Sequence, residues 1–157
     1  MAAKWTRSSR DGVDPPVQQT TTSFIIDTPG SGLIEFTDRV ARWLAAQRVD
    51  VGLLTLFCRH TSASLLINEN AALVVRRDLE NYFARLAPED RRAYEHDDEG
   101  PDDMPAHLRT ALTGVSLSIP VIGGRMTLGT WQGLFLFEHR ARPHRREVAA
   151  HLLGDGG

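Results

Sequence analysis

The chain has 157 residues, 41% of them hydrophobic and 24% charged, with a formal net charge of -2. That balance is close to the usual globular one and suits a single substantial core, so one domain rather than two is expected. It excludes a surface built for a nucleic-acid backbone, which needs a clear excess of Lys and Arg.

Residues 1–16 read as a mobile arm ending in Pro15-Pro16. They contain no apolar core of a secretory signal, and no run in the chain approaches the ~20 apolar residues of a membrane span, so a soluble protein without a membrane partner is expected. The Thr-rich stretch Val17 to Ile26 reads as a strand. Pro29-Gly30-Ser31-Gly32 is a turn, and a helix capped by Thr37 follows, with Phe36, Val40, Trp43 and Leu44 on one face. Val49 to Cys58 is almost continuously apolar, the pattern of a buried strand.

Val75, Leu79, Tyr82, Phe83 and Leu86 form the apolar stripe of an amphipathic helix that Pro88 ends. Glu89 to Asp103 is a long polar loop, a length that tends to be functional or mobile. A short helix capped by Asp103 comes next, with Leu108 and Leu112 facing inward and Gly114 closing it. Val115 to Val121 alternates as a strand, and Gly123-Gly124 turns the chain. Arg125 to Arg140 reads as two short strands or one bent strand, while Glu147 to Leu153 suits strand or helix. Residues 154–157 are a Gly-rich tail expected to fray. Intermixed elements without a βαβ rhythm predict an α+β fold, one domain over 17–153 with a mainly antiparallel sheet. No GxGxxG or P-loop pattern supports nucleotide binding.

Several positions can carry chemistry. His60 follows the buried strand, a rigid mount, and Thr61 and Ser62 supply hydroxyls; a turn that satisfies its own backbone explains them equally. Glu69 lies where Asn68-Glu69-Asn70 could cap the next helix. Asp78, at the margin of that helix's apolar stripe, could orient a histidine or form a boundary ion pair. His96 and His107 flank an acidic run in no recognised metal spacing. Three imidazoles, His60, His96 and His107, would leave a fourth position for water or substrate on a zinc ion, whereas an exposed loop histidine is the plain alternative.

In Gly129-Thr130-Trp131-Gln132-Gly133 the glycines permit close approach and Trp131 could stack on a ring or fill a core. Glu138 shares a strand face with Leu134 and Leu136, so its carboxylate needs a metal, a histidine or an arginine. Arg140, Arg142, Arg145 and Arg146 form a basic cluster, either solvated or able to grip phosphate. Cys58, the one cysteine, sits among apolar neighbours and reads as core; a single thiol forms no internal disulfide and points to a reducing, cytoplasmic setting.

The strings RHTSASLLINEN, VRRDLENYF, YEHDDEGPDDMPAHLRTAL and GTWQGLFLFEHR, in that order, resemble the YjbQ family, also described as secondary thiamine-phosphate synthases. The resemblance runs from about Thr20 to Leu153. It implies an α+β fold assembled as a homotrimer and a divalent metal held by His60, His96 and His107. Zinc is the ion implied, with magnesium an alternative beside a pyrophosphate substrate. It further implies Glu69, Asp78, Thr130, Gln132 and Glu138 as residues that line the pocket or support the metal. Fitted to the chemistry the resemblance implies, Glu69, Asp78 and Glu138 are the expected catalytic groups, and Thr61, Ser62, Thr130, Trp131, Gln132 and Arg140 the expected binders of a small-molecule substrate. The activity implied is the joining of a pyrimidine pyrophosphate to a thiazole phosphate. Three histidines on zinc suit the handling of water better than pyrophosphate, so a zinc hydrolase of a small metabolite stands beside it, as does a non-catalytic metal- or ligand-binding trimer.

Overall fold

The computed structural model describes residues 16–96 and 98–156; most of the expected N-terminal arm, Asp97 and Gly157 lie outside the described residues. Eight strands and three helices follow in the order β1 (Val17–Thr28), β2 (Gly32–Glu35), α1 (Thr37–Ala45), β3 (Val49–Cys58), β4 (Ala63–Glu69), α2 (Leu73–Leu86), α3 (Asp103–Thr113), β5 (Ser116–Ile122), β6 (Arg125–Met126), β7 (Gln132–Glu138) and β8 (His144–Gly156). The pairing is antiparallel throughout, in a five-stranded sheet ordered β1-β8-β3-β5-β6 and a three-stranded sheet ordered β2-β7-β4. The fold is therefore the α+β single domain with an antiparallel sheet that the sequence predicted. No described helix is long and apolar enough to cross a membrane.

One core draws on both sheets. Phe24 and Ile26 of β1, Leu54 and Leu56 of β3, and Val148 and Leu152 of β8 meet Leu65 of β4, Leu134 and Leu136 of β7, and Val40 and Leu44 of α1. The strands reach it by alternation, each sending every second side chain inward. β7 is central in the small sheet and buried on both faces. Phe137 packs edge-on against Phe83 of α2, and the Arg76 guanidinium lies 4.8 Å from the Phe135 ring centre.

Four local expectations are corrected. Thr37 is the first residue of α1 rather than its cap; its hydroxyl accepts from Leu134 N and donates to Glu35, stitching β7 to β2. Val75, Leu79 and Phe83 of α2 are half-buried, but Tyr82 and Leu86 are about half exposed, because the small sheet contacts a narrower stripe than the periodicity suggested. In α3, Pro105, Ala106, Arg109 and Thr110 face inward while Leu112 is exposed. The Gly-rich end does not fray before residue 157. Gly154 lies at a close crossing of β8 and β3, where a Cβ would collide with the Val51 carbonyl oxygen, so glycine is what lets the strand continue.

Candidate metal centre

Three ligand-type side chains converge at the start of α3. His96, Asp103 and His107 place one nitrogen or carboxylate oxygen each within 4.8 Å of one another. Asp103 and His107 are one helical turn apart and so share a face of α3. His96 arrives from the preceding loop. Its Nε2 is 2.7 Å from Asp103 Oδ2, and His107 Nε2 is 3.3 Å from the same oxygen. Asp103 is buried, while both histidines are partly open to solvent.

The hydrogen bonds around this cluster assign its protons. His107 Nδ1 lies 2.9 Å from the Thr61 carbonyl oxygen. A carbonyl can only accept, so Nδ1 carries a proton and a neutral His107 turns the lone pair of Nε2 toward Asp103. Lone pair then faces carboxylate. Such an arrangement calls for a cation or a proton between them.

Arg140 holds the other side of Asp103. Its guanidinium pairs with Asp103 Oδ1 and donates to Asp102 Oδ2 at 3.0 Å and to the Glu99 carbonyl oxygen at 2.8 Å. Ala141 N also donates to Asp102 Oδ2, at 2.9 Å. Burial pushes the Asp102 carboxyl up, but the Ala141 N–H and the Arg140 guanidinium outweigh it and hold it below the usual carboxylate range. Arg140 is thus engaged by its own chain, not free for a substrate phosphate.

Beneath lies a second buried pair. Glu138, fully buried, accepts from Arg146 Nε at 2.6 Å and Arg146 Nη2 at 2.5 Å, from Thr28 Oγ1 at 2.9 Å and from Arg140 N at 3.0 Å. Burial raises its carboxyl, and these donors more than offset that. The partner that its apolar strand face required is an arginine. Arg146 also donates to Ser62 Oγ at 3.0 Å, fixing the loop whose Thr61 carbonyl orients His107.

The remaining expected site residues do not join these three ligand-type groups. His60 Nε2 accepts from Glu147 N at 2.8 Å, and burial together with Arg146 lowers its pKa, so it stands as a neutral brace between β3 and β8. Glu69 pairs with Gln132 across β4 and β7, six residues along from the Ala63–Glu138 pair, which is about 20 Å at the usual rise per residue. Thr130 and Trp131 are exposed beside it, and Gln132 Oε1 accepts from Gly129 N at 2.8 Å, closing its own turn. Asp78 is on the exposed face of α2. Asp103, read from sequence as a helix cap, is the ligand-type residue that was missed; its i, i+4 spacing from His107 was the available signal.

Fold and site together define an antiparallel α+β chain with a buried carboxylate set between two histidines. The chain belongs to the UPF0047 protein YjbQ-like family, whose profile matches residues 22–155. A UPF0047 protein of Synechocystis sp. is 53% identical over 131 residues, 83% of this chain and 89% of that protein. The UPF0047 protein YjbQ of Escherichia coli O157:H7 is 48% identical over 120 residues, 76% of this chain and 86% of its own. Among solved structures, a YbjQ-like protein of unknown function from Sulfolobus solfataricus shares the fold with a TM-score of 0.82 at 22% identity, covering 89% of this chain and 100% of that one. A conserved hypothetical protein from Thermus thermophilus matches with a TM-score of 0.72 at 37% identity, covering 82% and 97%.

These matches correct the expected activity. The descriptions of the family and of these relatives name no activity, and the Sulfolobus protein is described as of unknown function, so the thiamine-phosphate synthase and transferase readings have no support. The hydrolase and the non-catalytic trimer are no better supported by them. The geometry agrees as far as pyrophosphate is concerned, since Arg140, the guanidinium assigned to the substrate, is spent on Asp102 and Asp103.

Proposed function

We propose that this chain binds a divalent transition metal, zinc foremost, through His96, Asp103 and His107. The observation that carries the reading is the convergence of His96 Nε2 and His107 Nε2 on Asp103 Oδ2, at 2.7 and 3.3 Å, with His107 Nδ1 committed to the Thr61 carbonyl. Two imidazoles and one carboxylate suit zinc and its neighbours; magnesium prefers an all-oxygen shell. A carbonyl on the far nitrogen of a histidine and an arginine on the far oxygen of a carboxylate are the supports that orient metal ligands. Chelator-stripped protein, titrated with zinc in a calorimeter, is expected to take up one ion per chain. His107→Ala should weaken that binding by more than the roughly 10- to 100-fold typical of losing a supporting residue, and His60→Ala should retain the ion. Equal affinity in wild type and His107→Ala would sink the reading.

A second observation favours self-association. Val51, Leu53, Phe57 and Leu153 are 42–50% exposed on the outer face of the five-stranded sheet, with Leu53 opposite Leu153 and Phe57 opposite Ala149. The face also holds a hollow of about 430 Å³ lined by Thr21, Thr55, Phe57 and His151. An apolar sheet face of this kind marks an interaction surface, and we assign it to further copies of the chain, in the homotrimer that the family resemblance implies. Buried Cys58 supports a reducing, cytoplasmic location.

A further inference from the structure

We infer that Arg140 is a positioning residue that sets the metal preference of this site, by occupying Oδ1 of Asp103 and leaving that carboxylate one donor oxygen. The inference rests on the reading of His96, Asp103 and His107 as a metal centre. Both imidazole nitrogens face Oδ2, whereas Oδ1 faces the guanidinium. For Asp103 to offer both oxygens, Arg140 would have to leave.

It is poorly placed to do so. Nε binds Asp102, Nη1 binds Asp103, and Nη2 binds the Glu99 carbonyl oxygen, so all three guanidinium nitrogens are held. Its main-chain N–H donates to buried Glu138, and Ala141 N–H donates to Asp102, which anchors the backbone on both sides. The side chain is only 13% exposed. A planar fork can span two carboxylates and a carbonyl at once; a lysine ammonium, a point donor, cannot.

A carboxylate confined to one oxygen discriminates among ions. Calcium gathers six to eight oxygens and takes carboxylates in both modes, so it gains little from two imidazoles and a single oxygen. Ions that favour nitrogen ligands and few donors lose nothing. Arg140 therefore acts on the ion through Asp103 without touching it.

Cobalt(II) provides the test, because its visible absorption reports the number and kind of its ligands. Chelator-stripped wild type, Arg140→Lys and Arg140→Gln are compared at saturating cobalt, with far-ultraviolet circular dichroism confirming the fold. Arg140→Gln is expected to show a weakened, shifted visible band as the second Asp103 oxygen joins, together with a roughly 10- to 100-fold loss of cobalt affinity, the range found when ligand-supporting partners are removed. Arg140→Lys, which keeps the charge but not the fork, should show the same spectral change and carries the test if Arg140→Gln does not fold. Weaker affinity with an unchanged spectrum would mean that Arg140 only stiffens the loop, and would overturn the inference while leaving the metal centre standing. No cobalt band in the wild type would overturn the metal reading itself, and this inference with it.

Discussion

Replacing His139 with glutamine should flatten the acid dependence of stability. His139 is 1% exposed, and its Nε2 lies 2.9 Å from Ser64 Oγ. Its Nδ1 has no hydrogen-bond partner among the described residues, and the ring packs on Phe137 with centres 4.3 Å apart. Burial, with Arg109 and Arg146 nearby, lowers its pKa from 6.5 to about 3, against a smaller opposing effect of Glu138. The unfolded chain takes up this proton near the ordinary histidine value, whereas the folded chain refuses it until about 3. Between those values the unfolded state binds more protons, so stability falls as the pH falls. From pH 7 to pH 5 this one group removes about 2 kcal/mol. Glutamine keeps an acceptor for Ser64 but has no proton to refuse. Urea unfolding at pH 7, 6 and 5 at fixed ionic strength should therefore show His139→Gln losing about 2 kcal/mol less than wild type over that interval. The comparison is of slopes, so any constant cost of the substitution cancels, as does the same-signed contribution of His60. Equal losses in the two proteins would refute the reasoning.

Arg146→Met strands the fully buried Glu138 carboxylate and should cost about 3–5 kcal/mol in urea unfolding. The double variant Glu138→Leu with Arg146→Met, which removes both charges, should recover much of that loss; a double variant as unstable as the single would count against the burial argument. Phe57→Lys places a charge in the middle of the exposed sheet face and should lower the sedimenting mass toward that of one chain, with the fold retained. An unchanged mass would remove that face from the interface.

The strands and their alternation were legible because they depend on local pattern. The strand Val49–Cys58 was read with its observed bounds, although it is buried on one face only, with Val51, Leu53 and Phe57 exposed on the other; Gly123-Gly124 takes positive φ at both residues, joining Ile122 to Arg125 in a two-residue hairpin turn. β2 and β4 were missed. β2 is four residues long beside a turn, and β4 was read for its chemistry as the continuation of His60-Thr61-Ser62, although Ala63–Glu69 pairs along its whole length with β7. The site was half legible. His96 and His107 come together as the loop reading allowed, but His60 could be assigned a role only by knowing that Glu147 N lies against it, 87 residues away in sequence. The partners of Glu138 and Asp103 are Arg146, on the next strand, and Arg140, 37 residues further along the chain. Which carboxylate meets which arginine is decided by strand pairing that a single sequence does not display.

The end of β7 explains why separate segments produce one ordered centre. Three consecutive residues there fasten three different parts of the chain. Glu138, through Thr28 and Arg146, ties in β1 and β8. His139 donates its main-chain N–H to the Ser62 carbonyl at 3.3 Å and places its ring against Ser64, fixing the start of β4 and with it the Thr61 carbonyl. Arg140 captures residues 99–103 and so sets the first turn of α3. The ligand-type residues themselves sit on a loop and a helix start, places with freedom to move, but Asp103 and His107 are each aimed by a group tied to a strand buried on both faces, and His96 meets Asp103 in turn. A site held in this way gains its precision from the sheet rather than from the loop that carries it. It follows that the string Glu138-His139-Arg140 acts by position and not by contact with a bound ion, and that substitutions there should disturb metal binding and stability together, whereas His96 and His107, on the open side of the cluster, should affect binding with little cost to the fold.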